Sequence, residues 1–143
     1  MRHATAGQAA ADFKRPLTAY GISQAATAAT ELQEILTPSH FIVSPAKRTR
    51  MTASKVCEVM SFSESKIKFD ERIYEASTQA LLYLLTELPD SCDDVLLIGH
   101  NPAIAYLAST LCSESYLSFP PGTFCVFECE SWAVKDLQGS TLH

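Results

Sequence analysis

Residues 94–102, DVLLIGHNP, constrain the fold more tightly than any other stretch of the chain. The branched apolar run from Val95 to Ile98 suits a strand buried on both faces. Gly99 to Asn101 then turn the chain at once, and Pro102, with its fixed φ and missing N–H, is pre-set for the first turn of a helix. Ile104, Leu107, Ala108 and Leu111 follow at helical spacing, marking one buried side. A buried strand that hands over directly to a helix belongs to a sheet with helices packed on its faces.

The rest of the chain repeats this grammar. Thr18 is placed to cap a helix in which Ile22, Ala25, Ala26, Ala29, Leu32 and Leu36 recur until Thr37-Pro38 stops the run. The β-favouring HFIV (His40 to Val43) ends at Ser44-Pro45 and feeds a second helix from about Ala46 to Met60. Another helix begins after Ser77, carries Leu81, Leu82, Leu84, Leu85 and Leu88 on a broad apolar face, and ends at Pro89. After the turn signal Phe119-Pro120-Pro121-Gly122, the segments TFCVFE and WAVKDL are expected to form a closing pair of strands. The expectation is an α/β three-layer sandwich: a mostly parallel central sheet flanked by helices, with an antiparallel edge from the C-terminal pair. A chain of 143 residues with 47% hydrophobic content suits one domain over residues 1–143.

Charge and cysteine usage remove several functional classes. A net charge of −5 argues against nucleic acid or acidic membrane as partner, since both call for basic clustering. The 5 cysteines are an odd number without disulfide-dense spacing, which fits a reducing cytoplasm. The nearest pair, Cys125 and Cys129, would stand roughly 13 Å apart on one face of a strand, too far to bridge or share a metal. No apolar run reaches the roughly 20 residues needed to span a bilayer, so a soluble cytoplasmic protein is expected. Zinc fails on spacing, with no Cys-x-x-Cys or His-x-x-x-His pair, and a serine hydrolase fails for want of a Gly-x-Ser-x-Gly elbow.

Two strand-to-helix junctions and the N-terminus carry the reactive side chains: Arg48, His100, and the pair Arg2-His3. Ligands of open α/β sheets bind outside the carboxyl ends of the strands, where such residues converge. Arginine presents a planar fork matched to phosphate oxygens, and histidine serves as nucleophile, acid or donor according to its protonation. Two of each suit phosphoryl transfer, with neutral His3 attacking in line while Arg2, Arg48 and His100, the last as imidazolium, bind the equatorial oxygens. Arg48 gains from lying in the first helical turn after Ser44-Pro45, where free N–H groups favour an anion. The cationic side chains take over the role of a magnesium clamp, so no metal or cofactor is expected. Lys47 and Arg50 are expected on a solvated helix face, Lys14 and Arg15 on an exposed loop, and Ser44 and Asn101 as loop-shaping residues.

In their order along the chain, Arg2-His3, Ser44-Pro45-x-x-Arg48 with Thr52 following, and Gly99-His100-Asn101-Pro102 resemble the histidine phosphatase superfamily. The stretch DFKRPLTAYGISQA resembles the Arg-Pro-Leu-Thr-x-x-Gly segment of its SixA-type phosphohistidine phosphatases. The resemblance implies a phosphoglycerate-mutase-like fold, His3 as nucleophile, and phosphate binding by Arg2, Arg48 and His100, with Ala4 where the family signature has glycine. It also implies Glu75, in DERIYEAS, as the candidate general acid, a group that the SixA-type branch often lacks. An imidazole leaving group departs readily without it, whereas a sugar alkoxide needs a proton. The family places a hydrophobic strand before the Arg-His pair; here Met1 alone stands there, so that strand is expected to be missing or to lie upstream of residue 1. The implied substrate is a phosphohistidine on a protein such as a phosphotransfer domain or phosphocarrier. The alternatives are a small phosphate ester, handled by a phosphomonoester phosphatase or mutase-like enzyme, and an inactive phosphate-binding or interaction module.

Overall fold

The structure, a computed structural model, describes residues 1–113, 115, 117–138 and 140–142. Thr18 caps α1 (Ala19–Ile35) by accepting a hydrogen bond from the Gly21 amide on its side chain, and the helix ends at Leu36, before Thr37-Pro38. Strand β1 (His40–Val43) leads into α2 (Lys47–Met60), which stops where Ser61 takes the left-handed conformation, φ 54°. A short β2 (Ile67–Phe69) precedes α3 (Thr78–Thr86), whose N-terminus is capped by the Ser77 hydroxyl. Then come β3 (Val95–Ile98) and α4 (Ala103–Leu111), joined through Gly99–Pro102 as the sequence predicts. The chain continues through β4 (Phe127–Glu128), α5 (Val134–Leu137) and β5 (Thr141–Leu142).

Strands β2, β1 and β3 form a parallel sheet in that order, with Phe41 opposite Leu96, Ile42 opposite Leu97 and Val43 opposite Ile98. Side chains alternate across a strand, so this register sorts the core into two layers. Phe41, Val43, Leu96 and Ile98 join Ala28, Ala29 and Leu32 of α1 and Ala53, Val56 and Cys57 of α2 on one face. Ile42 and Leu97 face the other way, into Leu81, Leu82 and Leu85 of α3 and Ile104, Leu107 and Leu111 of α4. The architecture is therefore an α/β sandwich of three layers around a parallel sheet.

Three local expectations are corrected. WAVKDL is not a strand: Ser131 accepts from the Ala133 amide and donates to the Asp136 carboxylate, Trp132 donates to the Cys92 carbonyl, and Leu137 is buried, which together wind the segment into α5. β4 pairs instead with β5, antiparallel, in a sheet separate from the parallel one. In α1 the buried stripe is Gly21, Ala25, Ala28, Ala29 and Leu32, which leaves Ile22 exposed. Among the described residues no helix is long and apolar enough to cross a membrane.

Candidate active site

The N-terminal residues lie along the carboxyl end of β3. The Met1 amine donates to the Leu97 carbonyl, the Gly99 amide donates to Met1, and the His3 amide donates to Gly99, continuing the parallel pairing by a bridge between Arg2 and Gly99. On the other side, Arg2 donates to the Thr123 carbonyl and Gly122 donates to the His3 carbonyl. Residues 1–3 are thus clamped between β3 and the 122–123 turn. At position 99 an added Cβ would lie 3.0 Å from an Ile73 side-chain carbon and 3.1 Å from Ile104, so those side chains would have to give by a few tenths of an ångström.

His3 is buried, and its Nδ1 lies 2.7 Å from the Ala4 carbonyl oxygen. A carbonyl only accepts, so Nδ1 carries the proton and Nε2 keeps its lone pair. Arg48 confirms that tautomer by donating from Nε to His3 Nε2 at 3.2 Å. Burial, offset in part by the Ala4 bond and reinforced by Arg48, Arg2 and Arg15, holds the His3 pKa down to about 4. The ring is neutral at ordinary pH. Behind it, the Ala4 amide donates to the fully buried Thr52 hydroxyl, which in turn donates to the Arg48 carbonyl.

Arg48 sits in the first turn of α2, its guanidinium almost wholly enclosed. His100, at the β3–α4 junction, has its ring centroid 5.3 Å from that of His3 and its Nε2 2.7 Å from the Ser44 hydroxyl. Ser44 is itself fixed by its amide bond to the Ile98 carbonyl. His100 Nδ1 is buried without a hydrogen-bond partner among the described residues, and burial together with the positive charge of Arg48 holds the His100 pKa down to about 3. Arg2 borders the pair, its Nη1 donating to the Phe119 carbonyl, which also accepts from Asn101.

Two residues not singled out from the sequence complete the arrangement. Asp12, in a 3-10 turn at Asp12–Lys14, accepts from Arg48 Nη1 on its carbonyl at 2.8 Å and from Arg48 Nη2 on its carboxylate at 3.0 Å. The same carboxylate oxygen accepts from the Tyr74 hydroxyl at 2.8 Å, and the Tyr74 ring stands edge-on to His100 at 5.6 Å. Asp12 lies at the start of the quoted DFKRPLT segment and Tyr74 immediately precedes Glu75, so both were within reach of motif reading. Arg15 is no free loop residue: it donates to the Gly7 carbonyl and to Asp12. Lys47 and Arg50 are exposed, Arg50 lying over the Phe69 ring.

Glu75 stands apart. It is exposed, in a left-handed conformation (φ 56°), and no hydrogen bond or ion pair among the described residues ties it to His3, Arg48 or His100. A cavity of about 490 Å³ lined by Met1, Leu97, Leu107 and Trp132 is apolar, and His3, Arg48 and His100 do not line it. Among the described residues no group of three or more His, Cys, Asp or Glu side chains is placed to hold a metal ion.

A family model described as the histidine phosphatase superfamily (branch 1) matches residues 2–84. An uncharacterized protein of Mycobacterium tuberculosis, Rv1276c, is 29% identical over 118 residues, covering 80% of this chain and 72% of its own. A solved structure from Nakamurella multipartitia, provisionally assigned as phosphohistidine phosphatase SixA, is 28% identical with a TM-score of 0.85, covering 100% of this chain and 90% of the other. The protein histidine phosphatase SixA complexed with tungstate superposes with a TM-score of 0.86 at 23% identity over 100% of this chain and 91% of that one, a likeness of fold.

Proposed function

This chain belongs to branch 1 of the histidine phosphatase superfamily, and on that premise we propose that it hydrolyses protein phosphohistidine through a phosphoryl group carried transiently on His3. One observation carries the reading: a neutral imidazole whose Nδ1–H is committed to Ala4 points its lone-pair nitrogen at a buried guanidinium, with a second imidazole 5.3 Å away.

His3 Nε2 attacks phosphorus, forming the new P–N bond as the bond to the leaving group breaks. Arg48 and Arg2 supply permanent positive charge to the equatorial oxygens. His100 is neutral beside these cations, and the two negative charges of an entering phosphoryl group favour its protonation, so it becomes a third donor when needed. The Ala4 carbonyl stabilises the N–H of the phosphorylated ring. Water then attacks phosphorus as the P–Nε2 bond breaks and its electron pair returns to the ring; both water protons leave with the product as dihydrogen phosphate, and His3 returns to its neutral tautomer. SixA-type relatives of the same fold include one complexed with tungstate, an oxyanion shaped like phosphate, which supports an oxyanion pocket in this chain. Glu75 is assigned no part in these steps, because no contact places it at the reacting atoms.

The test is a phosphorylated phosphotransfer protein assayed beside small phosphate esters, with rapid quenching to trap the intermediate. Acid-labile, alkali-stable label on His3, absent from His3→Ala, is the expected result. Turnover of the small esters alone, or no label on His3 in folded protein, would overturn it.

A further inference from the structure

The ring contacts and hydrogen bonds around His3 close into a circuit. His3 meets His100, His100 meets Tyr74, the Tyr74 hydroxyl bonds Asp12, Asp12 bonds Arg48, and Arg48 returns to His3. Every member except Asp12 is cationic or neutral. Asp12 is also the outermost member with a charge, its side chain 52% exposed against 7% for Arg48. A carboxylate fixed at the mouth of an anion site is costly unless it serves the ligand, since it opposes the charge the site is built to bind.

Resting on the phosphatase reading above, we propose that Asp12 selects the leaving group: its carboxylate accepts a hydrogen bond from a positively charged ring N–H, favouring phosphoryl groups carried on nitrogen over those carried on oxygen.

Three observations support this. First, Asp12 is held and cannot act as an acid. The Tyr74 hydroxyl first, then Arg15 and Arg48, keep its pKa near 2, so at neutral pH it only accepts. Second, no other member of the circuit is free to protonate an alkoxide: the Tyr74 hydroxyl is committed to Asp12, the His3 Nδ1–H to the Ala4 carbonyl, and the proton that His100 gains with the phosphoryl group to the equatorial oxygens. An oxygen leaving group therefore departs as an anion beside a carboxylate. Third, Phe13 and Tyr74 meet edge to face at 5.1 Å, with Phe13 40% exposed next to Asp12 in the chain. Aromatic faces beside a carboxylate favour a flat cationic ring.

The step balances without a general acid. In an N-phosphorylated imidazolium the far ring nitrogen already carries its proton. As the His3–phosphorus bond forms and the substrate P–N bond breaks, the electron pair returns to the substrate ring, which leaves as neutral imidazole with that N–H still on Asp12. No proton moves.

The experiment compares kcat/KM for phosphoimidazole with kcat/KM for para-nitrophenyl phosphate, whose leaving group departs as an anion. It is run on the intact wild type, Asp12→Asn and Asp12→Glu, with thermal melts to confirm folding. Asp12→Asn is expected to lower the phosphoimidazole to aryl phosphate ratio by about tenfold, the weight of one charge-assisted hydrogen bond, and Asp12→Glu to restore part of it. Added salt is expected to lower the wild-type ratio in the same direction, a readout that needs no variant. Equal losses on both substrates would make Asp12 a strut for Arg48, and equal gains would make it a competitor for the phosphate fork; either overturns the proposal. A wild type that turns over neither substrate instead defeats the phosphatase reading itself, and labelling of His3 separates that case.

Discussion

Gly21→Ala sets helix propensity against sterics at the contact that braces the active-site segment. Within α1 the exchange should help, because alanine is favoured over glycine by about 1 kcal/mol in a helix interior. The structure reverses the sign. A Cβ at position 21 would lie 2.1 Å from the Thr5 carbonyl oxygen and 3.0 Å from its carbon, both backbone atoms with no rotamer to escape into. An ordinary carbon–oxygen contact is roughly 3.3 Å, so Thr5 must retreat by about 1.2 Å. That carbonyl accepts from the Thr18 amide at 3.0 Å and from the Thr18 hydroxyl at 3.3 Å. Overpacking costs about 1–3 kcal/mol and each of the two strained hydrogen bonds about 1 kcal/mol, so after the propensity gain the variant is expected to lose about 2–4 kcal/mol. Equilibrium urea denaturation measures this as a lowered midpoint with an unchanged slope. Thr5 lies two residues from His3, so phosphatase activity should fall well below the folded fraction at the assay temperature. An unchanged or raised midpoint would refute the reasoning, since propensity would then outweigh a contact claimed to be unyielding.

Thr52→Val removes the acceptor of the Ala4 amide at a fully buried position and is expected to cost about 1–3 kcal/mol, measured by thermal unfolding. Arg48→Lys forfeits the fork that holds His3 and Asp12 together; kcat is expected to fall by about 10²–10³ with the fold intact by circular dichroism. His3 and His100 have folded pKa values of about 4 and about 3, below the ordinary 6.5, so the unfolded chain binds more protons between those values. Stability is therefore full above about pH 6.5 and drains as pH falls through 4 toward 3, by several kcal/mol at most; urea midpoints across that range check it, and His100→Gln should flatten the slope.

Helices α1 to α4 were legible because each is long enough for its apolar residues to repeat and each begins or ends on a residue with one clear job, Thr18, Ser77 or Pro102. β2 was not: Ile67–Phe69 is too short for any period, and its place beside β1 is a tertiary choice. WAVKDL was misread because its alternation suits a strand, and the side-chain bonds of Ser131 and Trp132 that wind it depend on partners elsewhere. In the site, the junction residues Arg48 and His100 were findable from the rule that strands deliver their ligand groups at carboxyl ends, and the structure brings both against His3. Asp12 escaped because it sits at no such junction, and Tyr74 because the short strand before it, β2, has no readable period; their meeting across 62 positions is made by the folding of two 3-10 turns. Glu75, named as a candidate acid, follows Tyr74 directly and has its side chain exposed.

Because Gly99 gives its amide to Met1 and takes the His3 amide on its carbonyl, the two imidazoles hang from adjacent rails of one backbone ladder. Neighbouring rails stand about 4.8 Å apart, which brings the two residues side by side, and the bonds of His3 to Ala4 and Arg48 and of His100 to Ser44 then hold the rings 5.3 Å apart. Lengthening a surface connection anywhere between residues 3 and 100 would leave that gap untouched. Anyone wishing to move the rings apart would have to change the bonds that hold them as well as the rails they hang from.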